Sequence, residues 1–140
     1  MDGPVTSIRT RLENYRAEAP ERSLADCPVR DVIQIISGRW SSLLMMALAE
    51  RAYRFGDLRR LVPDISQRML TQTLSDLQRD GYVHRQVFPT KPPMVEYSLT
   101  DLGRSMYGAL EQLLHWAEIN HARVREARKR FDAAQSRMVP

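Results

Sequence analysis

The sequence predicts a mainly α-helical fold with one small β-hairpin, in the order of a winged helix-turn-helix. Three observations carry that expectation. Apolar residues recur at helical spacing through most of the chain. Two strand-like runs, 82–88 and 94–99, are joined by Pro89-Thr90-Lys91-Pro92-Pro93, which suits an exposed hairpin tip and no helix. The helix just before the hairpin, within 65–81, is bounded by Ser66, a good N-cap, and Gly81, a good C-terminal stop.

The elements follow in order. Ile8, Leu12 and Tyr15 fall at i, i+4 and i+7, which predicts a short amphipathic helix ended by Ala19-Pro20. Asp26 or Cys27 then caps a helix opened by Pro28, whose fixed φ suits the first helical position. Val29, Val32, Ile33 and Ile36 are its apolar residues, and it stops near Gly38. Trp40 reads as a core anchor before a second helix over 41–48. A third, Arg54-Phe55-Gly56-Asp57-Leu58-Arg59-Arg60-Leu61, ends before Pro63. On the hairpin, Arg85 and Glu96 lie on facing strands and predict a cross-strand ion pair. Thr100 caps a long final helix with Asp101 in its first turn. Leu102, Met106, Ala109, Leu110, Leu113 and Ala117 form its stripe, with Tyr107, Leu114 and Ile119 off it. Three units result: an N-terminal arm over 1–26, a winged-helix domain over 27–100, and a C-terminal helix and tail over 101–140.

Composition narrows the function. The 140 residues are 43% hydrophobic and 27% charged, as in soluble globular proteins. No run of ~18 apolar residues exists, so no membrane span is expected, and the N-terminus carries no signal-peptide pattern. A single cysteine, Cys27, excludes an internal disulfide and a Cys-rich zinc site, and points to a cytoplasmic location. His84, His115 and His121 show no metal spacing and there is no Gly-rich phosphate loop, so no cofactor or metal is expected. Lys and Arg together number 21 against 17 acids, for a net charge of +4. Only Lys91 and Lys129 are lysines. Arginine suits bidentate contacts with phosphates and guanine edges, so the balance raises double-stranded DNA as a partner.

The helix after Ser66 sharpens this. At ~100° per residue, Met69, Leu70, Thr73, Leu74 and Leu77 gather on the side that packs on the domain. Arg68, Thr71, Gln72, Ser75 and Arg79 gather on the other, with Gln67 at its edge and Asp76 as the one neighbouring acid. Arg can grip guanine, Gln can grip adenine, and a Thr methyl can touch thymine. Arg68, Thr71 and Gln72, in the N-terminal half, are the first choices for base reading, joined by Gln67 and Ser75. Arg79 and Ser66 fall to the phosphates. So does Arg54, at the start of the preceding helix.

Cys27-Pro28-Val29, Gly38-Arg39-Trp40, Arg54-Phe55-Gly56-Asp57-Leu58, Ile65-Ser66-Gln67-Arg68-Met69-Leu70-Thr71, Leu77-Gln78-Arg79-Asp80-Gly81 and Val95-Glu96-Tyr97-Ser98-Leu99-Thr100 resemble the HxlR family of bacterial and archaeal transcriptional regulators, related to the MarR group. The resemblance runs from about Cys27 to Trp116. It implies a homodimer on a pseudo-palindromic operator, with Arg68, Thr71 and Gln72 as base readers and Thr90-Lys91 as a wing; repression is the expected mode of regulation. Arg39 stands where the family commonly has lysine and keeps the phosphate-binding charge. Several members sense oxidants through a cysteine at the motif position of Cys27.

Dimerisation is expected through helices at both ends, on Ile8, Leu12 and Tyr15 and on Leu110, Leu113, Leu114 and Ala117. Cys27 is a candidate redox or electrophile sensor, because backbone amides at a helix start favour an anion. Met45, Met46, Met69 and Met106 read as core, with a pocket for a small-molecule effector as the alternative. Two other classes compete. An enzyme would need Cys27 paired with a histidine, and nothing in the sequence positions such a pair. A winged helix used only for protein interaction predicts an acidic or apolar recognition face, and this one is basic and polar.

Overall fold

A computed structural model describes residues 7–18 and 27–138. The expected stop at Ala19-Pro20, the boundary at 26 and the cap role of Asp26 lie outside the described residues. The chain runs α1 (Ile8–Glu18), α2 (Pro28–Ile36), α3 (Ser41–Glu50), β1 (Tyr53–Arg54), α4 (Phe55–Leu61), α5 (Gln67–Arg79), β2 (Val83–Phe88), β3 (Met94–Leu99) and α6 (Asp101–Met138). The fold is the expected one, mainly helical with a small antiparallel sheet.

The sheet has one strand more than expected. Tyr53 and Arg54 pair antiparallel with β3, opposite Tyr97 and Glu96, giving the order β1-β3-β2. Arg54 therefore does not open a helix: it is the extended N-cap of α4. Two residues are too few for an alternating pattern, and the strand is created by the open edge of β3 beside it. The hairpin register sets Arg85 opposite Tyr97 and Glu96 opposite Gln86. The expected Arg85–Glu96 pair is thus displaced by one position, because strand facing cannot be counted through a five-residue tip of unknown geometry.

Helix α5 is fixed at both ends by local chemistry. The Ser66 Oγ accepts from the Met69 amide at 3.0 Å. At the other end Gly81, at φ +83°, gives its amide to the Gln78 carbonyl while Tyr82 bonds back to Leu77, a Schellman stop. Leu70, Thr73, Leu74 and Leu77 are buried, whereas Met69, expected on the packed side, is 43% exposed. They meet Leu44, Met45 and Leu48 of α3 and Leu58 of α4 in one core. Each such leucine contributes about 1.5–3 kcal/mol by leaving water.

Helix α6 is locked to the end of α5. Thr100 Oγ1 donates to the Gly81 carbonyl and accepts from the Gly103 amide at 3.0 Å, and the Thr100 amide bonds Tyr82. Gly103 presses on the same turn: a Cβ there would lie 2.1 Å from the Tyr82 oxygen. That close approach sets the helix's rotation. Met106, Tyr107, Leu110 and Leu114 consequently pack on the core, while Leu102 and Leu113 are exposed. The expected stripe is corrected by about one residue's turn: Tyr107 and Leu114 belong to it, and Leu102 and Leu113 do not. No single helix among the described residues is long and apolar enough to cross a membrane.

Candidate nucleic-acid interface

The turn between α4 and α5 is pinned by Ile65, which is buried in the core, so the start of α5 is carried on a rigid corner. From it Gln67, Arg68, Thr71, Gln72 and Ser75 stand exposed on one flank. Their polar groups are partly pre-set. Arg59 Nη1 donates to Gln67 Oε1 at 3.1 Å, and Gln72 Nε2 donates to Asp76 Oδ1 at 2.9 Å. Thr71 Oγ1 donates to the Gln67 carbonyl at 2.9 Å, leaving its methyl for an apolar contact. The Gln72–Asp76 bond uses one of the two Gln72 N–H donors and leaves the other, with Oε1, for a base edge. Arg59 was not singled out from the sequence. Two adjacent arginines in the last turn of α4, Arg59 and Arg60, were the available signal, and Arg60 is taken up by Asp57.

The wing forms a second part of the surface. Arg54 and Gly56 bound a groove of about 500 Å³ whose other wall is the hairpin tip, with Thr90, Lys91 and Pro93. Two cationic side chains far apart in the sequence, Arg54 and Lys91, thus share one concavity. Thr90 Oγ1 donates to the Pro92 carbonyl at 2.8 Å, which closes the tip on itself. Ser66 spends its acceptor on the helix cap and keeps its O–H as a donor. Arg79 is exposed in the last turn of α5, about 16 Å along the helix from Arg68, so the two cannot serve the same base step. Arg39 is exposed and lies over the ring of Trp40, 5.2 Å from its centroid. It is not part of the wing groove. Trp40 itself is half-buried against the core.

The residues expected at a dimer surface separate. Ile8, Leu113 and Ala117 are exposed and Leu12 is half-buried. Leu110 is buried in the domain's own core, and Leu114 packs against that core while staying half-exposed at the edge of a groove. Tyr15 is also buried. Rotation of α6 by its Gly103 contact turns the first two toward the domain, and Tyr15 is the buried residue of α1. Other apolar side chains are exposed in their place: Val29, Val32 and Ile33 on α2, and Trp116 and Phe131 on α6. The amphipathic pattern of 29, 32, 33 and 36 was the signal for the first group.

Cys27 is a half-buried free thiol at the N-cap of α2, and its side chain makes no capping hydrogen bond. It borders a groove of about 560 Å³ with Ile8, Leu12, Val29 and Ile33. The four methionines do not share a pocket. Met45 is core, Met106 packs on it, Met69 faces solvent, and Met46 edges a groove with Tyr107, Glu111, His115 and Glu118. Tyr107 there is held above the usual phenol range by burial, then by Glu111, Glu50 and Glu118. Among the described residues no group of three or more His, Cys, Asp or Glu could hold a metal ion.

Comparison with known proteins places this geometry. Residues 35–125 match the family described as HxlR-like helix-turn-helix. The uncharacterized HTH-type transcriptional regulator YtfH of Escherichia coli strain K12 is 43% identical over 94 residues, 67% of this chain and 75% of that protein. The solved structure of the transcriptional regulator ytfH from Salmonella typhimurium superposes with a TM-score of 0.68 at 39% identity, covering 74% of this chain and 93% of that one. The redox regulator HypR in its reduced form is similar at a TM-score of 0.67 and 39% identity, over 71% of this chain and 98% of that one.

Proposed function

The chain belongs to the HxlR-like helix-turn-helix family and is a DNA-binding transcriptional regulator, and we propose that it binds as a homodimer with α5 in the major groove of each half-site. The observation that carries this is the pairing of an exposed, acid-poor flank on α5 with the Arg54–Lys91 groove of the wing. Arg68, Thr71 and Gln72 read bases, with Gln67 and Ser75 at the margins of the same surface. Arg39, Arg54, Ser66, Arg79, Thr90 and Lys91 hold phosphates, fixing register without sequence preference. The unit over 27–100 does the binding. The second copy covers exposed apolar surface on α1, α2 and α6, where Ile8, Val29, Ile33 and Leu113 stand in water in the single chain. Two copies are needed because one winged helix reads too few bases for genomic selectivity. Occupying an operator in the cytoplasm, the dimer acts as a repressor.

Selection of bound fragments from genomic DNA, followed by footprinting, tests the reading. The expected result is two protected half-sites of related sequence, about 34 Å or a multiple of it apart. Bound fragments without a shared motif refute it.

A second property is supported by the position of Cys27 and by the similarity to HypR, a redox regulator solved in reduced and oxidized forms. Two Cys27 thiols, one from each copy, lose two electrons and two protons to an oxidant such as diamide and form one intersubunit disulfide. The bond would change the spacing of the two α5 helices and so the affinity for the operator. Equal loss of operator binding by wild type and Cys27→Ser under diamide removes Cys27 from that role.

A further inference from the structure

Helix α6 continues far beyond the domain it starts on, and in its distal half every side chain but the half-buried Asn120 and Val124 is exposed. The stretch past residue 125 also lies beyond the family match. That half is not featureless. Leu113, Ala117, Asn120, Val124, Ala127, Phe131, Ala134 and Met138 alternate at spacings of four and three, an unbroken heptad seam. Asn120 does not break it, because its amide is satisfied within the helix by the Trp116 carbonyl at 2.9 Å. Yet Leu113 and Phe131 are each 63% exposed, and Trp116 is 55% exposed.

The charges beside the seam decide what covers it. On one flank lie Trp116, Arg123, Arg130 and Arg137, and on the other His121, Arg128 and Gln135, with no acid on either. Parallel pairing of two copies sets Arg123 against the partner's Arg128 twice over and stacks Asn120 on Asn120. Antiparallel pairing centred on Ala122 does neither. It sets Leu113 opposite the partner's Phe131, Ala117 opposite the partner's Ala127, and Asn120 opposite the partner's Val124. The cation of Arg130 falls beside the partner's Trp116 ring, an attractive contact, and Arg123 meeting the partner's Arg123 at the axis is the one like-charged pair left. An anionic membrane fits less well: three of the eight seam residues are alanine, which insert little apolar volume but let two helices approach closely.

We propose that residues 113–131 of α6 pair with the same residues of a second copy as an antiparallel coiled coil. Residues 126–131 carry this pairing past the end of the family match. The inference rests on the homodimer proposed above. In a Cys27→Ser background, chains carrying Leu113→Cys or Phe131→Cys are mixed and treated with a short bismaleimide. Covalent dimers are expected in the mixture and not from either variant alone, since like positions lie about 27 Å apart along the coil. Self-linking of Phe131→Cys means parallel pairing, and no linking in the mixture means that the seam is covered by something else; either result overturns the proposal. Sedimentation separates the two readings. A chain ending at Arg125 is expected to dimerise at least tenfold more weakly than the full chain. Equal dimerisation overturns the coiled coil and leaves the homodimer. A full chain that is monomeric while binding its operator at full affinity overturns both.

Discussion

Two glycines five residues apart on α6 make opposite predictions for the same substitution. At Gly103 an added Cβ would stand 2.1 Å from the Tyr82 oxygen, 3.0 Å from its carbonyl carbon and 3.2 Å from Leu99 Cδ2. The nearest obstacle is backbone, so no side chain can swing aside. Helix α6 must withdraw by about 1 Å to restore ordinary contact. Such overpacking costs about 1–3 kcal/mol. Withdrawal also stretches the bonds from Thr100 to the Gly81 and Tyr82 carbonyls, each worth about 1 kcal/mol. Alanine returns about 1 kcal/mol of helix propensity, leaving Gly103→Ala about 2–4 kcal/mol less stable. At Gly108 nothing lies within 4 Å of the added atom, so Gly108→Ala is expected to gain about 0.5–1 kcal/mol. Urea unfolding followed by far-UV circular dichroism, at matched protein concentration, measures both. A Gly103→Ala midpoint equal to wild type, or a loss at Gly108 as large as at Gly103, would refute the claim that the Gly103 contact sets how α6 sits.

Other outcomes can be measured independently. Arg68→Ala should cost about 1–3 kcal/mol on the operator and relax preference at one position per half-site, as read by binding to single-base variants. Lys91→Ala or Arg54→Ala should weaken all DNA alike and flatten the salt dependence; if Arg68→Ala behaved the same way, the division between base and phosphate contacts would be wrong. Ser66→Ala should lower stability by about 1 kcal/mol through loss of the cap on the Met69 amide, whereas Ser66→Asp should retain most of it. Tyr82 and Tyr107 are both raised above the usual phenol value, Tyr82 by burial, then by Asp80 and Asp31. The folded state therefore holds these protons more tightly than the unfolded chain. The resulting stability is full below about pH 10 and is lost as pH rises through the folded values, so alkaline unfolding of Tyr107→Phe should be shallower than that of wild type.

The sequence by itself determined whatever is written in a single element. Ser66 and Gly81 specify the ends of α5 because capping needs only a hydroxyl at one end and a residue tolerant of positive φ at the other. The 3.6-residue period put Leu70, Leu74 and Leu77 inside and Arg68, Thr71 and Gln72 outside, since one face of a helix must be dry for it to pack at all. What needed tertiary structure were relations between elements. The strand at Tyr53 and Arg54 exists only because β3 has an edge to offer, and the neighbours of Arg85 and Glu96 depend on the register through the hairpin tip. The rotation of α6 follows from Gly103 pressing on Tyr82, a contact between residues 21 positions apart. That contact buries Leu110 and leaves Leu113 in water, although both belong to one apolar pattern along the sequence. Periodicity says which residues share a face, and only the packing partner says which way that face points.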